Sequence, residues 1–229
     1  MESPRPRRSM AGNKAPSKQK AHLTKLYQRL YDAWGPQHWW PAVTPFEVMV
    51  GAILTQNTAW KNVVKAIDNL KSAGLMSPER LHRVTRKRLA ELIRPAGYYN
   101  LKTDRLKNLV KLVMDAGGGD PPRLLSRPME QLRADLLAVK GVGPETADSI
   151  VLYAANRPIF VIDAYTRRIL DRHDLADGNA PYDDLQQWFM DRLPNDPRLY
   201  NEFHALLVVL GHRHCRSKPK CGGCPLEGF

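Results

Sequence analysis

A chain of 229 residues can bury a sizeable core, and 43% hydrophobic with 25% charged residues is ordinary for a soluble globular protein. No apolar run approaches the length of a membrane span, and residues 1–20 lack the apolar core of a secretory signal, which argues against a transmembrane or secreted protein. The formal net charge of +12 favours a polyanionic partner, nucleic acid before an anionic membrane or the ribosome, because each cation near a phosphate displaces a counterion.

The first residues of the chain predict a basic arm. Residues 1–20 are rich in arginine, lysine, proline and serine, and we expect them to be disordered. Positive charge also occurs further along, in RLHRVTRKR (80–88) and RRILDRH (167–173), so it is not confined to the arm. We expect a cytoplasmic, nucleoid-associated monomer without a membrane partner.

From residue 21 onward nearly every segment has the period of an amphipathic helix. Leu23, Leu26 and Leu30, for example, fall on one stripe of the first segment. Only the short run IFVI (159–162) is typical of a strand. The sequence therefore predicts an all-α fold of about ten helices.

The segment GPQHWWPAVTPFEVMVGAILTQNTAWKNV concentrates Trp39, Trp40, Phe46 and Trp60 around two prolines. Aromatic clusters usually belong to a core, and we expect this of Phe46. Electron-rich indoles can also attract a positively charged aromatic ligand by cation–π attraction. The tryptophans are therefore candidates for either role.

A glycine turn lies between two apolar helical segments in LLAVKGVGPETADSIVLYAA. Gly141 and Gly143 flank Val142, and glycine permits the close approach and positive φ that let backbone N–H groups converge on an anion beside a helix start. Such a helix–hairpin–helix would grip a DNA backbone without reading its sequence. The alternative is an ordinary tight turn between packed helices.

Asp163 follows the hairpin after one helix and an apolar connector. An aspartate directly before AYTRRIL is a good N-cap, because its side chain can accept a hydrogen bond from a backbone N–H of the first turn. A capping acid is also held rigidly, so capping and a functional role are compatible.

The three cysteines lie within ten residues near the end of the sequence. Cys215, Cys221 and Cys224 form a C-x5-C-x2-C run, which is typical of a metal-ligand set and not of a disulfide framework.

The run from Leu137 to Asp163 resembles the hairpin-Gly-Pro-Asp signature of the endonuclease III superfamily of DNA glycosylases, and the resemblance extends from about Thr24 to the cysteines. Trp-Trp-Pro followed by GAILTQNT resembles the 3-methyladenine glycosylase branch. The resemblance implies base-excision repair of double-stranded DNA that contains a damaged base. It also implies two lobes: a terminal lobe of residues 21–45 and 136–229, and a barrel lobe of residues 46–135 with the adjoining hairpin 136–150.

The resemblance also implies roles for single residues. Asp163 would stabilise the sugar oxocarbenium and help to activate water, as a fixed carboxylate opposite developing positive charge can do. Gln56 would fill the hole left by the extruded nucleotide, and a polar residue at a helix end is the alternative. Tyr98 would stand where the family has an apolar intercalator, and a core position for Tyr98 or Tyr99 is the alternative. The hairpin residues Lys140, Gly141, Val142 and Gly143 would contact phosphate, and Trp39, Trp40 and Trp60 would line the base pocket.

Glu145 departs from the family members that also cut the backbone, because these carry a lysine at the matching position. A lysine amine can form a Schiff base with the sugar, and a carboxylate cannot. We therefore expect a monofunctional glycosylase. Glu145 is either an acid favoured by the helix dipole or a carboxylate near the pocket that favours cationic bases such as N3-methyladenine.

The family's [4Fe–4S] loop has four cysteines, and the fourth would be residue 230, one beyond the printed sequence. Either the sequence stops one residue early or the fourth thiolate is replaced, by His212, His214 or an external ligand. We expect a structural [4Fe–4S] cluster, with zinc or no metal as alternatives.

Two rivals remain at this level. One is a glycosylase for uracil, mismatched thymine or oxidised bases, because specificity lies in the geometry of the pocket. The other is a non-catalytic DNA-binding protein that keeps the hairpin.

Overall fold

The computed structural model describes residues 16–229, and the secondary structure of this part of the chain consists of helices without any strand. The predicted all-α fold is confirmed. The described α-helices are α1 Pro16–Trp34, α2 Pro45–Thr55, α3 Trp60–Ser72, α4 Pro78–Arg83, α5 Arg86–Leu92, α6 Tyr99–Gly117, α7 Pro121–Leu125, α8 Met129–Leu137, α9 Pro144–Ser149, α10 Ala164–Arg172, α11 Tyr182–Met190 and α12 Pro197–Arg213. A 3₁₀ turn, Arg94–Ala96, precedes α6, and a π-helical turn, Ile150–Ala154, continues α9.

Local sequence explains where several helices begin. Thr44, Ser77 and Thr85 have extended backbones, and each side-chain oxygen accepts a hydrogen bond from the backbone N–H three residues on. Pro45 and Pro78 occupy the first helical position, where a missing N–H costs nothing. The run 159–162 is a buried connector and not a strand.

The predicted basic arm, residues 1–20, lies mainly outside the described residues. Its last five residues, 16–20, form the first part of α1, so the helix begins earlier than the prediction. The reason is tertiary: Gln19 is buried, and its side-chain oxygen accepts hydrogen bonds at 2.7 and 3.0 Å from the Arg192 guanidinium. Proline at position 16 suits a helix start.

The described chain divides into two compact units. One unit is Trp40–Arg157, and the other comprises residues 16–39 and Pro158–Phe229. The lobes expected from the sequence have other boundaries and stay a prediction. None of the described helices is long and apolar enough to cross a membrane.

The unit Trp40–Arg157 has α2 at its centre, since every residue from Phe46 to Leu54 is buried. The expected core position of Phe46 is confirmed, at 4% exposed. Glu47 is also buried and forms an ion pair with Lys71 at 2.6 Å, so the one charge on this stretch of α2 is compensated.

The other unit has an aromatic core. The rings of Phe160 and Phe189 stack with centroids 3.9 Å apart, and Phe203 meets both rings edge to face. Helices α10 and α12 pack closely where Gly211 lies against the Tyr165 ring, because a Cβ at Gly211 would be 2.2 Å from the ring.

Candidate active site

The hairpin connects α8 to α9 in the unit Trp40–Arg157. Gly141 has φ of 97°, and a Cβ there would lie 2.4 Å from the Arg105 Cγ, so both the backbone and the packing require glycine. Val142 is 7% exposed and anchors the turn. Gly141 and Gly143 are exposed, and neither N–H is used in a hydrogen bond within the described residues. The turn therefore presents two available donors to solvent.

Gln56 lies at the end of α2 and is hydrogen-bonded to the hairpin. Its amide nitrogen donates to the Gly141 carbonyl oxygen at 3.1 Å and to the Thr146 hydroxyl at 2.9 Å, and its amide oxygen accepts from the Arg105 guanidinium. Both ends of the amide are thus engaged. Arg105 also packs under Gly141, so this one arginine supports both the glutamine and the turn.

Two turns of this unit have left-handed backbones at exposed side chains. Asn57, directly after Gln56, is exposed with φ of 51°. Tyr98 is 71% exposed with φ of 45°, and it follows Gly97 with φ of 66°. Leu101, one helical turn further along α6, is 48% exposed. Tyr98 is therefore not a core residue, and Leu101 adds a second exposed apolar side chain near it.

Three aromatic side chains form a cluster in the same unit. The Trp40 ring lies 5.3 Å from that of Trp60, edge to face, and 5.4 Å from that of Tyr153. All three are half-buried. The cluster rests on α2 at Gly51, where an added Cβ would be 3.0 Å from the Trp40 ring. Trp39 is half-buried in the other unit.

Asp163 is the N-cap of α10 in the unit of residues 16–39 and Pro158–Phe229. Its Oδ1 accepts a hydrogen bond from the Thr166 N–H at 2.7 Å, which confirms the expected cap. Its side chain is 12% exposed, and its Oδ2 lies 3.8 Å from the His204 Nε2. Burial lowers the pKa of His204, and the Asp163 carboxylate opposes this shift. The carboxylate is thus fixed on one side by the helix and backed by a buried imidazole.

Glu145 and Lys140 are exposed residues on either side of the hairpin glycines. Glu145 lies in the first turn of α9, and its carbonyl oxygen accepts from the Ser149 hydroxyl at 2.7 Å. The carbonyl oxygen of Lys140 accepts from the Asn108 amide at 3.0 Å, which connects the turn to α6.

The three cysteines line one cavity of about 310 Å³ after α12. Cys215 is buried, its carbonyl oxygen accepts from Arg168 at 2.7 Å, and its Sγ accepts from Arg172 at 3.3 Å. Burial raises the pKa of the Cys224 thiol, and the nearby Cys221, Cys215 and Glu227 raise it further. A hydrogen bond with the Leu226 backbone opposes this rise. In the described residues no group of three or more ligand side chains is arranged to hold a metal ion.

Of the two histidines considered as a fourth ligand, His214 lines this cavity and His212 is exposed on the surface. The His214 Nδ1 lies 3.1 Å from the Lys220 carbonyl oxygen, and its ring stacks on that of Trp34 at 6.1 Å. The cavity is thus lined by three thiols and two imidazoles, those of His173 and His214, with the cations Arg172 and Lys220 beside them.

Five residues of these sites were not predicted from the sequence. They are Asn57, Leu101, Arg105, Tyr153 and His204. Asn57 and Leu101 had a local signal, since Asn57 directly follows Gln56 and Leu101 lies three residues after Tyr98. The others act through partners that are distant in the sequence.

The comparisons with known proteins agree with this description. The family model for the HhH-GPD superfamily base excision DNA repair protein matches residues 50–195. A Methanocaldococcus jannaschii protein named as a candidate DNA repair glycosylase is 47% identical over 208 residues, which cover 90% of this chain and 94% of that protein. Endonuclease III of Sulfolobus acidocaldarius is 27% identical over 186 residues, 80% of each chain.

A solved structure gives the same result. The Helicobacter pylori 3-methyladenine DNA glycosylase MagIII, bound to 1,N6-ethenoadenine, superposes with a TM-score of 0.71 and 28% identity over 87% of this chain and 98% of that one. The fold and the hairpin define a helix–hairpin–helix glycosylase. The chain belongs to the HhH-GPD superfamily of base excision DNA repair proteins, and the resemblance to the endonuclease III superfamily is confirmed.

Proposed function

We propose that the protein binds double-stranded DNA, extrudes an alkylated purine such as 3-methyladenine and hydrolyses its N-glycosidic bond without cutting the backbone. The observation that carries the proposal is that the chain has a rigidly capped acid, Asp163, and also has a glutamate, Glu145, at the position where lyase members of the family have lysine.

The hairpin supports backbone binding. Gly141 and Gly143 are exposed, and their N–H groups are available to donate hydrogen bonds to a phosphate, while Lys140 adds a positive charge beside them. Such contacts position the protein on the duplex without reading the bases.

The two left-handed turns support insertion into the duplex. Tyr98 and Leu101 present exposed apolar surface suited to stack in a kinked helix. For Gln56 to pair with the orphan base, its amide must exchange its bonds to Gly141, Thr146 and Arg105 for bonds to DNA. Asn57 is exposed beside it and offers the same amide chemistry without that exchange.

The aromatic cluster supports a cationic base as substrate. Trp40, Trp60 and Tyr153 provide electron-rich rings at which a positively charged purine would be favoured by cation–π attraction. Trp39 stays a candidate for contact with the base. A carboxylate at Glu145 would add attraction for a cationic base, and a helix-dipole role for this acid is the alternative.

Asp163 would carry the chemistry. As the C1′–N bond breaks, its electron pair leaves with the base, and the carboxylate stabilises the positive charge that develops on the sugar. Water then adds to C1′ and gives up one proton. A purine that is cationic before cleavage departs as a neutral molecule, so it requires no protonation by an acid residue.

Glu145 supports hydrolysis over lyase chemistry. A lyase step needs an amine that attacks C1′ and forms a Schiff base. A carboxylate at this position cannot do so, and the abasic site would then be left with an intact backbone.

We also propose that the cysteine cavity holds a [4Fe–4S] cluster with a structural role. Cys215, Cys221 and Cys224 line one cavity and would supply three of the four ligands, although they would have to draw closer together to do so, and Arg172 beside Cys215 suits an anionic thiolate group. The fourth ligand would come from His214 or from outside the described residues. Iron and acid-labile sulfide analysis of anaerobically purified protein tests this, and zinc alone or no metal would overturn it.

The function is tested with labelled duplexes that each hold one lesion: N3-methyladenine, N7-methylguanine, hypoxanthine, uracil, a thymine mismatch or thymine glycol. Each reaction is read with and without hot alkali, beside Asp163→Asn. Breaks at alkylated purines only after alkali, lost in the variant, are expected. Breaks without alkali would contradict the assignment of Glu145. Release of uracil or thymine alone would contradict alkylated purines as the substrate class and assign a pyrimidine substrate instead. Binding without turnover on any lesion would indicate a non-catalytic DNA-binding protein.

A further inference from the structure

Lys102 is a buried lysine that no step of the proposed reaction uses. It is 1% exposed and lies in the first turns of α6. Burying an ammonium group is costly unless hydrogen bonds replace its water shell. Here the Nζ donates at 2.8 Å to the carbonyl oxygens of Leu54 and of Ala96, and it also donates to the hydroxyl of Thr58. All three of its protons therefore have acceptors.

These acceptors belong to two separate turns. Leu54 and Thr58 bracket the turn that carries Gln56 and Asn57, whereas Ala96 is two residues before Tyr98. The Thr58 hydroxyl also lies within hydrogen-bonding distance of the Ala96 carbonyl oxygen, so the two turns meet at a single polar point around the ammonium.

Both turns contain backbone that is unfavourable on its own. Asn57 and Tyr98 have positive φ angles of 51° and 45° without being glycine. Such a backbone is unfavourable for a residue other than glycine and persists only where the surroundings over-determine it. Both side chains are exposed, so packing of the side chains does not fix these backbones. Backbone hydrogen bonds and the Gln56 side chain hold each turn locally, and the hydrogen bonds of the Lys102 ammonium and the Thr58 hydroxyl connect the two turns to each other.

We propose that Lys102 is a positioning residue that ties the turn of Leu54–Thr58 to the turn of Ala96–Tyr98, so that Asn57 and Tyr98 are presented to DNA as one rigid pair. The assignment rests on the proposed function, because it concerns the turns that would enter the duplex. Lys102 does not contact substrate.

The chain offers a matched control on the same helix. Lys107 also donates three hydrogen bonds to backbone carbonyl oxygens, those of Leu81, His82 and Val84 at the end of α4. Burial lowers the pKa of both amines. Lys107 touches neither turn, so Lys107→Met removes the same kind of bond from the same helix with a different consequence.

The tie itself is tested without DNA. Amide hydrogen exchange is followed in wild type, Lys102→Met and Lys107→Met, well below the melting temperature of each. We expect exchange about tenfold faster in residues 55–58 and 96–100 of Lys102→Met only, because local opening depends on the lost hydrogen bonds. Uniform acceleration through the whole chain, or equal effects of the two variants, would overturn the assignment.

The consequence for DNA is tested with 2-aminopurine placed opposite an abasic site, whose fluorescence reports insertion of side chains into the stack. Lys102→Met should lose most of this signal and lower single-turnover base release about tenfold, while affinity for undamaged duplex changes less than twofold. Lys107→Met should match wild type in all three. Unchanged fluorescence and base release in Lys102→Met would overturn the proposal that Lys102 positions the two turns for DNA.

Failure of the proposed function is distinguishable from failure of this inference. If wild type releases no base from any lesion, the function fails, yet exchange and 2-aminopurine fluorescence still decide whether Lys102 orders the two turns.

Discussion

The two compact units differ in how many residues their candidate roles depend on. In Trp40–Arg157 the candidate DNA contacts are shared by many groups: the hairpin, Gln56 and the Lys102 tie are cross-linked by hydrogen bonds. In the other unit the candidate chemistry depends on one side chain, Asp163, fixed by one cap bond. Binding should therefore decline in steps when contacts are removed, whereas turnover should depend on a single carboxylate.

The sharpest test of this contrast is Asp163→Asn, which keeps the size and the cap acceptor but removes the charge. We expect base release to fall by about 10³-fold, as for loss of one strong electrostatic contact in a transition state. Affinity for DNA should change less than twofold, measured by fluorescence anisotropy. A parallel loss of binding would contradict the separation of roles.

A second prediction concerns the cost in stability of the buried Lys102 ammonium in the unit Trp40–Arg157. Burial, reinforced by the charge of Arg105, lowers the pKa of Lys102 to about 8 from 10.5. Among the described residues no carboxylate pairs with it, so no opposite charge offsets this shift. Between these pH values the unfolded chain binds a proton that the folded chain lacks, and the free energy of unfolding should rise with pH.

A shift of one pKa unit corresponds to about 1.4 kcal/mol. The rise in the free energy of unfolding that is due to Lys102 should therefore reach at most about 3 kcal/mol at pH 10.5 and then level off. Denaturant titrations of wild type and Lys102→Met at a series of pH values isolate it as a difference. An identical pH dependence of the two proteins would show that folding does not lower the pKa of Lys102.

The hairpin provides a matched pair of glycines. In Gly141→Ala the new Cβ meets Arg105 at 2.4 Å and φ is 97°, so we expect a loss of about 2 kcal/mol in stability and weaker DNA binding by about tenfold. Gly143 has φ of −98° and open space at its Cβ position, so Gly143→Ala should be close to neutral. Equal effects of the two substitutions would show that the turn geometry does not matter.

The smallest expected effect is that of Glu145→Gln. If this carboxylate attracts a cationic base, release of N3-methyladenine should fall by about three- to tenfold while release of hypoxanthine, which is neutral, stays constant. If Glu145 serves only the helix dipole, both substrates should be unaffected and stability should drop by about 0.5 kcal/mol. The ratio of the two rates decides between the roles.

The local features of the fold were predictable because their physical causes lie within a few residues. Thr44 and Ser77 cap helices through N–H groups three residues on, and Asp163 does the same at α10. The short α7 was not among the predicted helices, because a segment of five residues that begins with two prolines is too short to show helical periodicity.

The sequence by itself determined the helical class, the hairpin glycines, the cap at Asp163 and the cysteine spacing, because each depends on local backbone geometry. Only the tertiary structure decided what Lys102 and Gln56 do, since Lys102 bonds to Leu54 across 48 residues and Gln56 to Thr146 across 90. It also revealed the place of Tyr153 against Trp40. A buried lysine has the same helical period as an exposed one, and only its desolvation and its distant acceptors distinguish the two.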